Sequence, residues 1–175
     1  MTSLRLSNSH TSRPQPLRPT AALAAVRLTD AAVNVLTDFT HEHPITVAES
    51  RRIDDALEDM ICFGVRALLV VRGDKVSGVV TSYDIQGERP LKFLQTSTYT
   101  RHDELAVAHV MTPWEQLPVL EWEDVRRACV ADVLEVFRAS GETHLVVVEG
   151  DLDGGCRVRG LISKTRLARQ LAGGG

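Results

Sequence analysis

The sequence predicts a mixed α/β (α+β) fold in which two copies of one β-α-β-β-α unit pack sheet to sheet. Three observations predict it. The chain repeats itself in the same order at a nearly constant spacing. Each copy passes from a helical apolar period to short buried apolar runs separated by turn residues. Aromatic residues make up only 5% of the chain, so the core must rest on Val, Leu, Ile and Ala. That composition favours layered helices and strands over an aromatic-rich β-sandwich.

The repeat is read residue by residue. Ala56-Leu57-Glu58-Asp59-Met60 is echoed by Val133-Leu134-Glu135-Val136-Phe137 at an offset of 77, which Gly64 and Gly141, Gly73 and Gly150, and Asp74 and Asp151 keep. Gly78-Val79-Val80-Thr81 returns as Gly160-Leu161-Ile162-Ser163 at 82, the extra residues falling in the loop-like stretch 151–158. Upstream, Val35-Leu36-Thr37-Asp38-Phe39 pairs with Val110-Met111-Thr112-Pro113-Trp114 at 75, and Pro44-Ile45 with Pro118-Val119 at 74.

Each copy opens with a short extended piece, residues 45–47 or 119–121, and continues into an amphipathic helix. In the first copy Ile53, Ala56, Leu57, Met60 and Ile61 fall on one helical face, with Ser50 as N-cap and Gly64 as the stop. In the second the helix runs from about Asp124 to Ser140, with Gly141 stopping it. A buried strand follows in each copy, then a Gly-Asp turn, a second strand, and a new helix beginning at Thr81 or Ser163. Neither half buries enough surface alone, so the halves are expected to pack together.

Composition excludes several classes. The chain is 43% hydrophobic and 25% charged with a net charge of −3, which offers no electrostatic reason to expect a nucleic acid polymer as partner. No apolar run is long enough to span a membrane. Cys62, Cys129 and Cys156 are widely separated and odd in number, against a disulfide framework or a zinc site. Residues 1–29 carry Arg5, Arg13, Arg18 and Arg27 and no acid, a composition shared by organelle transit peptides. Pro14, Pro16 and Pro19 break the helix such a signal uses, so a disordered or extended tail is the expectation there.

Gly64-Val65-Arg66-Ala67-Leu68-Leu69-Val70-Val71 followed by Gly78-Val79-Val80-Thr81-Ser82-Tyr83-Asp84-Ile85 resembles the CBS domain family. Val35-Leu36-Thr37 and Val110-Met111-Thr112-Pro113 resemble the segment that opens each CBS repeat, and the pair resembles a Bateman module. The resemblance covers about residues 33–172 and implies repeat 1 over 33–95, a linker over 96–108 and repeat 2 over 109–172. It further implies pseudo-twofold symmetry, a homodimer formed through the helices containing 85–94 and 163–171, and a groove for an adenosine-containing ligand.

Local chemistry supports the groove. Thr81 ends a strand and starts a helix, where free N–H groups and the helix dipole favour an anion. Asp84 comes round to the same side, and its acceptor-only carboxylate suits two ribose hydroxyls. The structural alternative is that Thr81 and Asp84 are simply a helix-capping box. By resemblance, Ile45, Thr46 and Val80 would read the base through backbone groups, and Arg66 would contact a phosphate. In the second copy Arg166 stands where the carboxylate belongs, and a guanidinium accepts no hydrogen bonds. Ser163, Lys164 and Arg166 there are either phosphate contacts or a solvated helix face, so one good site is expected.

Other signals weigh little. His41-Glu42-His43 lacks further metal ligands at suitable spacing and reads as a loop. Asp151-Leu152-Asp153-Gly154-Gly155 lacks the later ligands of a calcium loop. Trp114 and Trp122 are expected to pack, Cys62 to lie in the core, and Tyr83 to stack either on a ligand or on a neighbouring helix. No nucleophile, base and oxyanion set is visible, so an enzyme is not expected. The expectation is a cytoplasmic, non-catalytic sensor that needs no cofactor. It binds AMP, ADP, ATP or S-adenosylmethionine as regulatory ligand and signals to a separate protein partner. The alternative is a ligand-free structural adaptor or dimerisation module.

Overall fold

A computed structural model describes residues 23–96, 101–150 and 155–173. The first repeat holds β1 (Leu36–Asp38), β2 (Thr46–Ala48), α1 (Ile53–Phe63), β3 (Ala67–Arg72), β4 (Lys75–Thr81), α2 (Ser82–Gln86) and α3 (Arg89–Thr96). The second holds β5 (Thr112–Pro113), β6 (Val119–Glu121), α4 (Trp122–Val125), α5 (Val130–Ser140), β7 (His144–Gly150), β8 (Cys156–Ser163) and α6 (Lys164–Ala172). Short 3-10 turns lead into both repeats.

The two sheets are not made one from each repeat. One runs β1-β8-β7-β6 and the other β2-β3-β4-β5, so each repeat lends its opening strand to the other's sheet. Within each sheet the β2–β3 and β6–β7 pairs are parallel and the rest antiparallel. The repeated glycines mark these crossings. A Cβ on Gly78 would collide with the carbonyl oxygen of Thr112 in β5, and one on Gly160 with that of Thr37 in β1. Only a residue without a side chain lets the lent strand approach so closely.

Three apolar clusters follow from the alternation along the strands. Leu68, Val70 and Val80 point to the helix side of the first sheet and pack on Ile53, Ala56, Met60 and Ile85. Leu145, Val147 and Ile162 do the same against Phe137, Val133 and Leu167. The opposite faces meet between the sheets, where Ala67, Leu69 and Val79 pack on Val146 and Val148, with Trp114 and Leu117 at the margin. Burial of this kind is worth about 25 cal/mol per Å² of apolar surface and supplies the main stabilisation.

Gly64 and Gly141 end α1 and α5 in the left-handed conformation, with φ of 69° and 73°. The N-termini differ from expectation. Arg52, not Ser50, caps α1, because the Ile53 amide donates to the Leu105 carbonyl and the Val107 amide to that of Arg51. The lead-in to the second repeat therefore caps the helix of the first through backbone alone. The expected helix from Asp124 to Ser140 is broken in two for the mirrored reason. Ala128 and Val130 spend backbone groups on Ala32 and Asp30, and Cys129 bridges Ala31. The helix after β4 is likewise divided, at Gly87 and Glu88.

Domain boundaries shift accordingly. The Val26 amide donates to Gln170, and Val26 is buried against the second repeat, so the packed chain begins inside the expected 1–29 tail. Residues 1–22 lie outside the described residues. Leu105 and Val107, in the expected 96–108 linker, are fully buried in the first repeat's core. Cys62 and Ile61, expected in the core, are exposed. They sit on the last turn of α1, beside the buried Met60.

Candidate functional site

A cavity of about 130 Å³ lies between the repeats. One wall is the end of β4 and the start of α2, with Val79, Thr81, Tyr83 and Asp84; the other is the start of β7, with Gly141 to His144 and Val146. Arg89 and Thr112 close one side, and Leu117 lies beside them. Both repeats are needed to form it. A volume well under the roughly 300–1,000 Å³ of small-molecule pockets means that side chains must move to admit a ligand.

Thr81 and Asp84 form a reciprocal capping box. Asp84 Oδ2 accepts from the Thr81 amide at 2.8 Å and from the Thr81 hydroxyl at 2.8 Å, while the Asp84 amide donates to Thr81 Oγ1 at 3.2 Å. The Ser82 amide donates to the Arg66 carbonyl. The expectation that free amides at this helix start await an anion is thus overturned: three are already satisfied, two of them through Asp84 itself. The box fixes the carboxylate at the cavity with its Oδ1 turned to Arg89, whose Nε stands 3.2 Å away. Arg89 Nη1 also donates to the Val110 carbonyl at 2.8 Å and to Thr112 Oγ1 at 3.0 Å.

His144 faces the pair from the second repeat. Its Nδ1 lies 3.0 Å from Thr143 Oγ1. Burial and the positive charge of Arg66 push its pKa down to about 4, so the imidazole is neutral near pH 7. The site thus offers two carboxylates, Asp84 and Glu142, two threonine hydroxyls besides Thr81, a neutral imidazole and a half-exposed guanidinium.

Residues 36–89 match the family model of the CBS domain. That segment is a CBS domain. No curated protein matches the chain. A protein with CBS domains from Burkholderia ambifaria is 25% identical, with a TM-score of 0.55 over 74% of this chain and 83% of its own. CBSX2 in complex with AMP is 22% identical, at a TM-score of 0.53 over 82% of this chain and 97% of its own. The CBS domain pair of MJ0100, solved with 5′-methylthioadenosine and S-adenosyl-L-methionine, is 18% identical, at 0.54 over 84% and 98%. The fold is that of a CBS pair.

Of the residues expected at this CBS pair's site, the structure brings Thr81 and Asp84 to the cavity. Val80 does not line it: alternation along β4 turns Val79 to the cavity and Val80 into the helix-side core, fully buried. Ile45 packs on that same core and its carbonyl accepts from the Leu69 amide, while Thr46 is exposed on β2. Arg66 is exposed and outside the wall; its equivalent at the 77-residue offset is Thr143, which does line it. The wall opposite Asp84 therefore comes from the other CBS repeat. Arg89, Glu142 and His144 escaped the sequence reading, although the repeat alignment of Gly141 with Gly64 was the signal that could have found the last two. Tyr83 is half-exposed and lines the cavity.

The second cleft of the CBS pair is arranged otherwise. Arg166 Nη1 donates to Thr37 Oγ1 at 2.7 Å, its Nε is buried with no hydrogen-bond partner among the described residues, and Ser163 Oγ accepts from the Arg166 amide at 3.4 Å. Lys164 is exposed. Apart from the clefts, Arg159 joins β1 to β8, forking to Asp38 at 3.0 Å and reaching Glu149 at 2.9 Å over the ring of Trp122. Among the described residues no three metal-ligating side chains cluster, and the expected hairpin connection at 151–154 lies outside them.

Proposed function

We propose that this CBS pair is a non-catalytic regulatory module that binds an adenosine-containing ligand between its repeats and passes the change to a separate protein. The observation that carries the reading is the shared cavity. Asp84 from one repeat faces Thr143 and His144 from the other, so a ligand touching both biases how the repeats pack. It does so only by its differential affinity for the two arrangements. Asp84 Oδ1 and Thr81 Oγ1 are the groups for the ribose hydroxyls; Tyr83, half-exposed at the mouth, is placed to cover the base. Ile45, Thr46 and Val80 are retained only as backbone neighbours of the base, and Arg66 as a charge behind the wall. In the second cleft, Ser163, Lys164 and Arg166 are at most contacts to an anion.

Thermal unfolding with adenosine, AMP, ADP, ATP and S-adenosylmethionine tests this. Ligand at a hundred times its Kd adds about 2.7 kcal/mol of stability, which for a chain of this size raises Tm by roughly 5–10 °C. No shift with any adenosyl compound at millimolar concentration defeats the reading. The adaptor alternative is favoured by one fact, that Arg166 fills the second cleft; it wins if Asp84→Ala leaves partner binding intact and insensitive to ligand. The reading also takes the protein as cytoplasmic and homodimeric. Among the described residues no helix is long and apolar enough to cross a membrane. Leu91, 60% exposed on α3 beside a groove lined by Leu57, Ile85 and Leu94, is the contact that Leu91→Glu should disrupt in light scattering.

A further inference from the structure

We infer that the cleft selects an adenosyl ligand whose 5′ substituent is neutral or cationic, and discriminates against nucleotide phosphates. The inference rests on the adenosyl reading of the cleft and concerns what that ligand carries beyond its ribose. The wall includes two carboxylates, Asp84 and Glu142, and one cation, Arg89. That cation is already committed: its guanidinium meets Asp84 Oδ1, the Val110 carbonyl and Thr112 Oγ1 at once. His144 contributes no positive charge near neutral pH, because burial and the nearby Arg66 keep it unprotonated.

The usual cradle for a phosphate is also spent. Helix starts hold anions through free amides, yet here the Thr81 amide and hydroxyl both point to Asp84 Oδ2, and the Ser82 amide to Arg66. A phosphate entering beside Thr81 meets a carboxylate where it needs donors. Like charges in a partly desolvated cleft repel more strongly than in water. A sulfonium or a thioether meets no such penalty, and a sulfonium gains from Glu142. Arg66 lies outside the wall and exposed, so its solvent-weakened charge reaches His144 but its guanidinium is no hydrogen-bond donor to a ligand in the cleft.

Isothermal titration of the full chain with adenosine, 5′-methylthioadenosine, S-adenosylmethionine, AMP and ATP tests this. The expected result is that the thioether and the sulfonium bind at least about tenfold more tightly than ATP, and more tightly than AMP. Glu142→Gln should improve AMP by roughly threefold and leave 5′-methylthioadenosine unchanged. AMP or ATP binding as tightly as 5′-methylthioadenosine overturns the inference while leaving the adenosyl reading standing. So does an Arg89→Ala variant that weakens AMP alone, since Arg89 would then have left its partners to grip a phosphate. Binding of none of the five removes the adenosyl reading and this inference with it.

Discussion

Replacing Gly78 by alanine tests whether strand exchange, rather than chance, placed the repeated glycines. In a strand of ordinary φ and ψ with open space, Gly→Ala stabilises by about 0.4–1 kcal/mol, because the unfolded chain loses freedom. At Gly78 the sign should reverse. An added methyl collides with the Thr112 carbonyl oxygen and comes within 3.2 Å of the Thr112 carbonyl carbon and 3.3 Å of Met111 Sδ. Met111 can swing aside; the Thr112 backbone cannot, since β5 pairs to β4 exactly at Gly78–Pro113 and Val79–Thr112. Overpacking costs about 1–3 kcal/mol, and loosening a ladder hydrogen bond adds roughly 1 kcal/mol. The expected loss is therefore ~2–4 kcal/mol, a fall in Tm of roughly 5–15 °C. Urea and thermal unfolding of Gly78→Ala and Gly150→Ala are compared, because a methyl on Gly150 meets no atom within 4 Å. Gly150→Ala should stay within about 0.5 kcal/mol of the parent. Equal stabilities for the two variants refute the reasoning, and with it the claim that the lent strand demands glycine.

Asp84→Asn keeps the size of the side chain but removes the charge that holds Arg89 and weakens the capping box; adenosyl binding should fall at least about tenfold, with a stability loss near 1 kcal/mol, read by titration and urea unfolding. His144 has a folded pKa near 4 against an ordinary 6.5, so the unfolded chain binds the extra proton between those values. Its contribution is intact above pH 6.5 and is lost as pH falls to 4, amounting to roughly 2–3 kcal/mol; His144→Gln should flatten that part of the stability–pH curve, and an unchanged slope argues against the buried neutral imidazole. Arg159→Met removes the partner of Asp38 and Glu149 and should cost about 2–4 kcal/mol. Because the Arg159 guanidinium holds the Asp38 carboxyl well below the usual carboxylate range, the ion pair should survive mild acid, and the parent's advantage over Arg159→Met should persist at pH 4 by urea unfolding.

Local elements were legible because their signals are local. The 3.6-residue period of Ile53, Ala56 and Met60, and the glycine stops at 64 and 141, need no knowledge of the rest of the chain. What the sequence hides is which backbone meets which far along the chain, as Ile53 meets Leu105 and Asp30 meets Val130. The first amides of α1 and α5 reach backbone carbonyls of Leu105, Asp30 and Leu28, and Asp132 accepts from the Cys129 amide at the start of α5, so no serine or threonine was required and Ser50 misled. The same pairing splits the helix expected from Asp124. The site was half legible for the same reason. Thr81 and Asp84 adjoin in sequence and in space, whereas His144 reaches the cavity through the apposition of sheets, and Arg89, near Asp84 in the chain, is held there by Val110 and Thr112 of the other repeat. Arg66, expected to contact a phosphate, is exposed outside the wall, and its equivalent in the other copy, Thr143, lines the cavity.

The duplication kept the backbone and divided the chemistry. Gly78 and Gly160 meet Thr112 and Thr37 in equivalent crossings, so both clefts share one frame. Each also holds a guanidinium that bonds the lent strand's threonine, but the two arrive by different routes. In the second cleft it is Arg166, in the first turn of α6, anchored at the position equivalent to Asp84 and part-buried. In the first it is Arg89, brought from α3 and 46% exposed, lying across Asp84 rather than replacing it. A half-exposed arginine exchanges protein acceptors for water at little cost, whereas a buried one cannot be withdrawn without stranding its charge. The first cleft can therefore open and uncover a carboxylate; the second, on opening, uncovers none. A ligand reaching Asp84 Oδ1 would compete with Arg89 Nε alone and leave Nη1 on Val110 and Thr112, so under the proposed function the signal to the exposed surface around Leu91 would run through that retained tie between α3 and the opposite repeat.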